Sequence, residues 1–193
     1  GDGRCAGGHR RDRDAARAED DRRAGVDPRV RAPDGHLFPL ARIATMFARR
    51  GFNIESLAVG PTERAGVSCI TLRVDCEHHS LEQIEKQIHK LVNVLRVTEL
   101  VPDEAVEREL LLLKVSASPD RRAELISTSE AFKGRVVDLG SDSVTFELTG
   151  TPEELDAFQE LARPHGIQEL VRTGRVGMAR ASARKTRRLS AIN

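Results

Sequence analysis

Residue types able to do chemistry are thinly spread through this chain of 193 residues. Cys76, His78 and His79 stand close enough to suggest a metal site. Their spacing matches no zinc pattern and no second ligand group follows, so the expected setting is an exposed turn at the end of a strand. His89 lies on the polar side of a helical pattern and is expected in solvent. Cys69, inside a strand pattern, reads as a small buried thiol. Glu55, beside Asn53, could pair with a basic group, but a strand-end charge usually faces water. Ser68, Ser116 and the other serines lack a nucleophile-elbow setting, and no glycine-rich loop has the spacing of a P-loop or a dinucleotide fingerprint. Nothing here reads as a catalytic centre.

Binding chemistry is better represented. In Gly51-Phe52-Asn53-Ile54-Glu55-Ser56, asparagine tolerates left-handed backbone and offers both an amide donor and a carbonyl acceptor. Where a helix hands over to a strand, such a residue can hold the zwitterionic head of an amino acid. An adjacent helix N-terminus would then present N–H groups to the carboxylate. The same residues also suit a plain structural turn.

The elements that must position this segment alternate in type. Leu40, Ile43, Ala44 and Phe47 recur at helical spacing, and Arg49-Arg50-Gly51 supplies a basic last turn and a stop. Ile54–Val59 and Val67–Val74 read as strands around the turn-rich Gly60-Pro61-Thr62-Glu63. Leu81, Ile84, Ile88 and Leu91 mark a second helix, with Ser80 as N-cap and Glu82, Glu85, Lys86 and Lys90 on its outer side. Val94–Val101 follows as a strand. The pattern then repeats: a strand at Leu110–Val115, a helix from Ser118-Pro119 to Lys133-Gly134, and a hairpin of Arg135–Leu139 and Ser143–Thr149 around Gly140-Ser141-Asp142. A capping box at Thr151-Pro152-Glu153-Glu154 opens a helix with Leu155, Phe158 and Leu161 on one face, and Ile167–Arg172 closes the unit as a strand.

This predicts an α+β protein of two tandem ferredoxin-like βαββαβ domains. By analogy with the second, the first domain should begin with a strand near Arg29–Ala32, the poorest strand candidate in the chain. The expected boundaries are a disordered charged segment at 1–33, domains at 34–103 and 104–179, and a basic tail at 180–193. Both helices of such a unit pack on one face of its sheet. The other face stays open, so an oligomer is expected.

Composition narrows the partners. Lys+Arg 31 against Asp+Glu 30, with no Trp or Tyr and six Phe, leaves neither the net field nor the aromatic platforms of a nucleic-acid binder. No apolar run approaches the roughly 20 residues of a membrane span. A charged N-terminal stretch without a signal-peptide core and three unpatterned cysteines (Cys5, Cys69, Cys76) point to a cytoplasmic protein with reduced thiols.

Two long stretches carry a resemblance. Phe47-Ala48-Arg49-Arg50-Gly51-Phe52-Asn53-Ile54-Glu55-Ser56-Leu57-Ala58-Val59-Gly60-Pro61-Thr62 and Glu82-Gln83-Ile84-Glu85-Lys86-Gln87-Ile88-His89-Lys90-Leu91-Val92-Asn93-Val94-Leu95-Arg96-Val97 resemble the signature of the acetolactate synthase (acetohydroxyacid synthase) small subunit. The likeness runs from about residue 40 to 180. It implies that the first domain is an ACT domain, here with a degenerate first strand, and that the chain is non-catalytic. It also implies binding and activation of a thiamine-diphosphate-dependent large subunit, with feedback inhibition by valine or a related branched-chain amino acid. No cofactor is implied in this chain; thiamine diphosphate, Mg and FAD would belong to the catalytic partner. The implied assembly contains a homodimer, with the effector between two subunits. Asn53 and Ile54 match the family's strand 2 side of that site. On the other side, the family has an Asn/Asp-x-Pro-Gly-x-Leu type of loop before helix 1. An ungapped count back from Leu40 puts Phe38 and Gly35 where the loop's Gly and Asn belong. A shifted register makes Gly35, within Pro33-Asp34-Gly35-His36-Leu37, the key glycine. The implied effector residues are Asn53, Ile54, Gly35 and Leu40. A stand-alone ACT-type amino-acid sensor with a different partner is the alternative.

Overall fold

The structure, a computed structural model, describes residues 23–26, 28–31, 37–76 and 80–182. They form two compact units, the second spanning Val106–Gly177.

In the first unit, β1 (Arg23–Val26), β2 (Arg29–Arg31), α1 (Leu37–Arg50), β3 (Ile54–Pro61), β4 (Val67–Asp75), α2 (Leu81–Ile88), β5 (Val94–Arg96) and β6 (Glu99–Leu100) follow one another. β4 is central, with β3 on one side and both β1 and β2 on the other. The last two are pieces of one strand. Val26 lies opposite Leu72 and Arg29 opposite Cys69, an advance of three residues on each chain with no slip. Within the gap the Pro28 carbonyl still accepts a hydrogen bond from the Ile70 N–H, at 3.1 Å. Proline removes a donor but keeps its acceptor, so the ladder thins without losing register. β5 and β6 flank this interrupted strand on its far side, giving the order β3, β4, β1/β2, β5/β6.

β2 is the strand expected near Arg29–Ala32, whereas the disorder expected over 1–33 is corrected at both strands: Arg23–Val26 and Arg29–Arg31 are hydrogen-bonded into the sheet. The first domain therefore begins upstream of residue 34. Arg, Ala, Gly and Pro are weak strand formers; here neighbours on both sides impose the extended conformation. Val30, fully buried, anchors the piece in the core. The remainder of the 1–33 segment, through Arg22, lies outside the described residues, as do His78, His79 and the tail beyond residue 182.

Alternation along β4 turns Ile70, Leu72 and Val74 to one face, where they meet Ile43 and Phe47 of α1 and Ile84 and Ile88 of α2. Both helices thus share a face. The Ser80 hydroxyl caps α2 by accepting from the Gln83 N–H at 3.4 Å. Glu85, expected outside, is buried at 6% exposure.

The second unit contains β7 (Ala105–Ser116), α3 (Pro119–Ala131), β8 (Arg135–Leu139), β9 (Ser143–Gly150), α4 (Pro152–Ala162), β10 (Ile167–Arg172) and β11 (Val176–Ala179). The order β10, β7, β9, β8, all antiparallel, is that of a βαββαβ sheet, and β11 also pairs with β7. Leu111, Leu113, Val115, Val144, Phe146 and Leu148 face Leu125 of α3 and Leu155 and Phe158 of α4. The capping box forms: the Thr151 hydroxyl accepts from the Glu154 N–H, and the Glu154 carboxylate accepts from the Thr151 N–H at 2.8 Å. Ser118 occupies the cap of α3 but accepts no side-chain hydrogen bond. Leu161 is exposed, and Ala162 takes its expected place in the core. At about 100° per residue, position 162 returns to within about 20° of Leu155, while 161 stands about 120° away. On the opposite sheet face Leu112 and Val171 are exposed, beside the ion pairs Lys114–Glu169 and Arg135–Glu147.

Candidate functional site

The segment with binding chemistry begins where α1 ends, and its backbone is tightly specified. Gly51 has φ +68°, the left-handed conformation that glycine adopts without strain. The Phe52 N–H donates to the Phe47 carbonyl at 3.1 Å and the Gly51 N–H to the Ala48 carbonyl at 3.4 Å. These two bonds are the paired closure of a Schellman ending. The Phe52 ring packs edge-on against Phe47, centroids 5.4 Å apart, and Phe47 is itself buried in the core. The turn is therefore anchored at its apolar residue and leaves Asn53 outside.

Asn53 is exposed, but its main chain is held: its carbonyl accepts from the Asp75 N–H at 3.2 Å. Ile54 pairs across from Val74 and packs against the core, half-buried. The site thus offers a polar amide followed by an apolar wall, at the start of strand β3. A register shift between Ile54 and Ser56 then re-aims Glu55. The Glu55 carboxylate accepts from Arg73 Nε at 3.1 Å, and Arg73 is buried at 6% exposure. Glu55 stays exposed, as expected of a strand-end charge, and also takes a basic partner: a buried guanidinium needs a counter-charge, and the bulge supplies it.

Leu40 lies near the start of α1, half-buried. Ten residues separate it from Arg50, about 15 Å along the helix axis. One copy of the chain brings Asn53 and Ile54 together and keeps Leu40 at the other end. Gly35 lies outside the described residues.

The remaining candidates do not assemble into a reactive group. Cys69 and Cys76 are both half-buried. Among the described residues, no three His, Cys, Asp or Glu side chains gather where a metal ion could sit. His89 departs from its expected place in solvent. Its Nε2 is buried without a hydrogen-bond partner, and desolvation holds the imidazole below its ordinary value. Helical periodicity ranked His89 as polar-side but carried no signal of that partial burial. In the second unit, Arg172 donates to Asp156 at 2.6 Å and to the buried Glu109 at 2.7 Å, tying β10 to α4 and β7. No described helix is long and apolar enough to cross a membrane.

Comparison with known proteins matches both halves of the chain. A family profile described as "AHAS small subunit-like ACT domain" matches residues 40–96, and one described as "Small subunit of acetolactate synthase" matches residues 108–181. The acetolactate synthase small subunit of Mycolicibacterium smegmatis is 45% identical over 141 residues, which is 73% of this chain and 83% of that one. The probable acetolactate synthase small subunit of Archaeoglobus fulgidus is 45% identical over 143 residues, covering 74% and 89%. Among solved structures, the acetolactate synthase small subunit of Thermotoga maritima superimposes with a TM-score of 0.75 at 35% identity, covering 84% of this chain and 99% of that chain. The tandem βαββαβ architecture, the Gly51–Ile54 turn and this extent of identity all agree: the chain belongs to the acetolactate synthase small-subunit family.

Proposed function

We propose that the chain is the regulatory subunit of acetolactate synthase, without catalysis of its own. It binds and activates the thiamine-diphosphate-dependent large subunit, and confers feedback inhibition by valine in branched-chain amino-acid biosynthesis. Thiamine diphosphate, Mg and FAD belong to that partner.

The observation that carries this reading is that Leu40 lies about 15 Å along α1 from Arg50, the end whose closing turn leads into Asn53 and Ile54. An amino acid is too short to touch both ends of α1 in one chain. It can do so between two copies, with Asn53 and Ile54 from one and the Gly35–Leu40 stretch from the other. The Asn53 amide suits a carboxylate and its carbonyl an ammonium group, while Ile54 suits a branched apolar side chain. Among the described residues β3 pairs on one side only, and its other edge suits a second copy. An effector bridging two copies favours one packing of the dimer, and its differential affinity for the two packings sets the regulatory shift.

The test is reconstitution of the purified chain with the large subunit, assaying acetolactate formation with and without valine. The rate should rise to a plateau with added chain and fall again with valine. A flat response through a saturating titration overturns the reading. Valine binding by calorimetry without any association with the large subunit assigns the chain instead to a stand-alone sensor.

A further inference from the structure

The last turn of α1 carries Arg49 and Arg50, and the 14 residues of the helix include no acidic one. Two adjoining depressions, of about 560 and 540 Å³, share Arg49 and Arg50. Met46 and Leu91 give the first an apolar lining; Phe52 and Lys86 line the second. Among the described residues, no carboxylate lines either one. Arg49 and Arg50 are exposed and form no ion pair with a described residue, whereas Lys86 is paired to Glu82 at 2.7 Å. Arginines in a last turn complement the helix dipole, but that leaves the apolar linings and the missing counter-charge unexplained.

We propose that this face of α1 docks an acidic, partly apolar protein segment. The inference rests on the function proposed above, under which that segment belongs to the large catalytic subunit. Charge complementarity selects the occupant. A second copy of the chain would bring arginine against arginine, which is repulsive, whereas carboxylates on a partner would meet fork-shaped donors beside apolar contacts. The face is distinct from the effector residues, but Arg50 stands only three positions before Asn53. The docking surface and the effector turn therefore share the closing turn of α1.

The experiment measures binding of the full chain to the purified large subunit at several salt concentrations. The variants are Arg49→Glu/Arg50→Glu and Arg49→Lys/Arg50→Lys, with Lys86→Glu as a further variant on α2, at an exposed side chain. Charge reversal should weaken the dissociation constant about 10-fold or more and flatten its salt dependence, while the lysine pair stays within about 3-fold. Lys86→Glu should weaken binding in the same direction, and unfolding midpoints should match the parent chain. Unchanged affinity and salt dependence in both reversal variants, with wild-type binding and valine response intact, overturns the docking face and leaves the proposed function standing. Failure of the wild-type chain to bind the large subunit removes both. A duplex oligonucleotide that binds the wild-type chain more tightly than the large subunit does, and is lost on reversal, reassigns the face to nucleic acid and overturns the proposal.

Discussion

Replacing Gly51 by alanine isolates the conformational demand of the turn that presents Asn53. The residue sits at φ +68°, and a Cβ built there meets nothing within 4 Å. No steric term enters, so the loss is that of placing an L side chain in left-handed backbone, about 1–2 kcal/mol. Alanine also stiffens the unfolded chain, which offsets about 0.4–1 kcal/mol, leaving a net loss of about 1 kcal/mol. For a unit of this size that lowers the melting midpoint by roughly 4–8 °C. Gly51→Asn should lose less, because asparagine visits this conformation more readily than alanine. Thermal and urea unfolding of the full chain, run on parent, Gly51→Ala and Gly51→Asn, measures the differences. The strain is present with and without effector, so valine affinity should stay within about 3-fold of the parent. Alanine as stable as glycine would refute the backbone argument. Equal damage from alanine and asparagine would point to crowding instead of conformation.

The second unit offers the complementary case. Gly134→Ala puts a Cβ 2.9 Å from Leu148 Cγ and 3.0 Å from the Ser129 carbonyl oxygen, so urea unfolding should show a loss of about 1–3 kcal/mol from crowding. The adjacent Lys133 holds the left-handed position at φ 58°, and Lys133→Gly should raise stability by about 1 kcal/mol in the same assay. Asn53→Ala removes an exposed amide, so it should raise the valine concentration for half-inhibition of the reconstituted enzyme about 10-fold or more with an unchanged unfolding midpoint; an unchanged valine response would remove Asn53 from the effector site. His89 is held by desolvation below its ordinary imidazole value. As pH falls through about 6.5, the unfolded chain takes up a proton that the folded chain resists, so stability declines toward acid. The urea midpoint should therefore drop between pH 7.5 and 5.5 more in the parent than in His89→Gln, and equal drops would dispose of the assignment.

Much of the local structure could be read along the chain because its signals are local. The Thr151–Glu154 capping box, the hairpin around Gly140-Ser141-Asp142 and the Gly51 stop each depend on a few adjacent residues with one preferred backbone. The errors have a common source. Along α4, helical phase favours Ala162 over Leu161 for the core, while side-chain size points the other way. Glu85 and His89 lie on a helix whose polar residues look alike by spacing, yet one is buried and the other partly so. The sequence leaves a basic partner open for Glu55 but does not name it, because nothing nearby announces Arg73, eighteen positions on.

The first strand is the clearest division between the two kinds of information. Residues 23–31 have almost no intrinsic preference for extension, and no local rule makes a strand of Arg-Ala-Gly-Val or one interrupted at Pro28. β4 on one side and β5 and β6 on the other supply the register and the hydrogen bonds. The family and the two-unit plan were legible because long motifs and hydrophobic periodicity survive without coordinates. The burial of Glu85, the pairing of Glu55 with Arg73 and the two depressions beside Arg49 and Arg50 are products of packing. They depend on which distant residues meet, and linear order does not encode that distance.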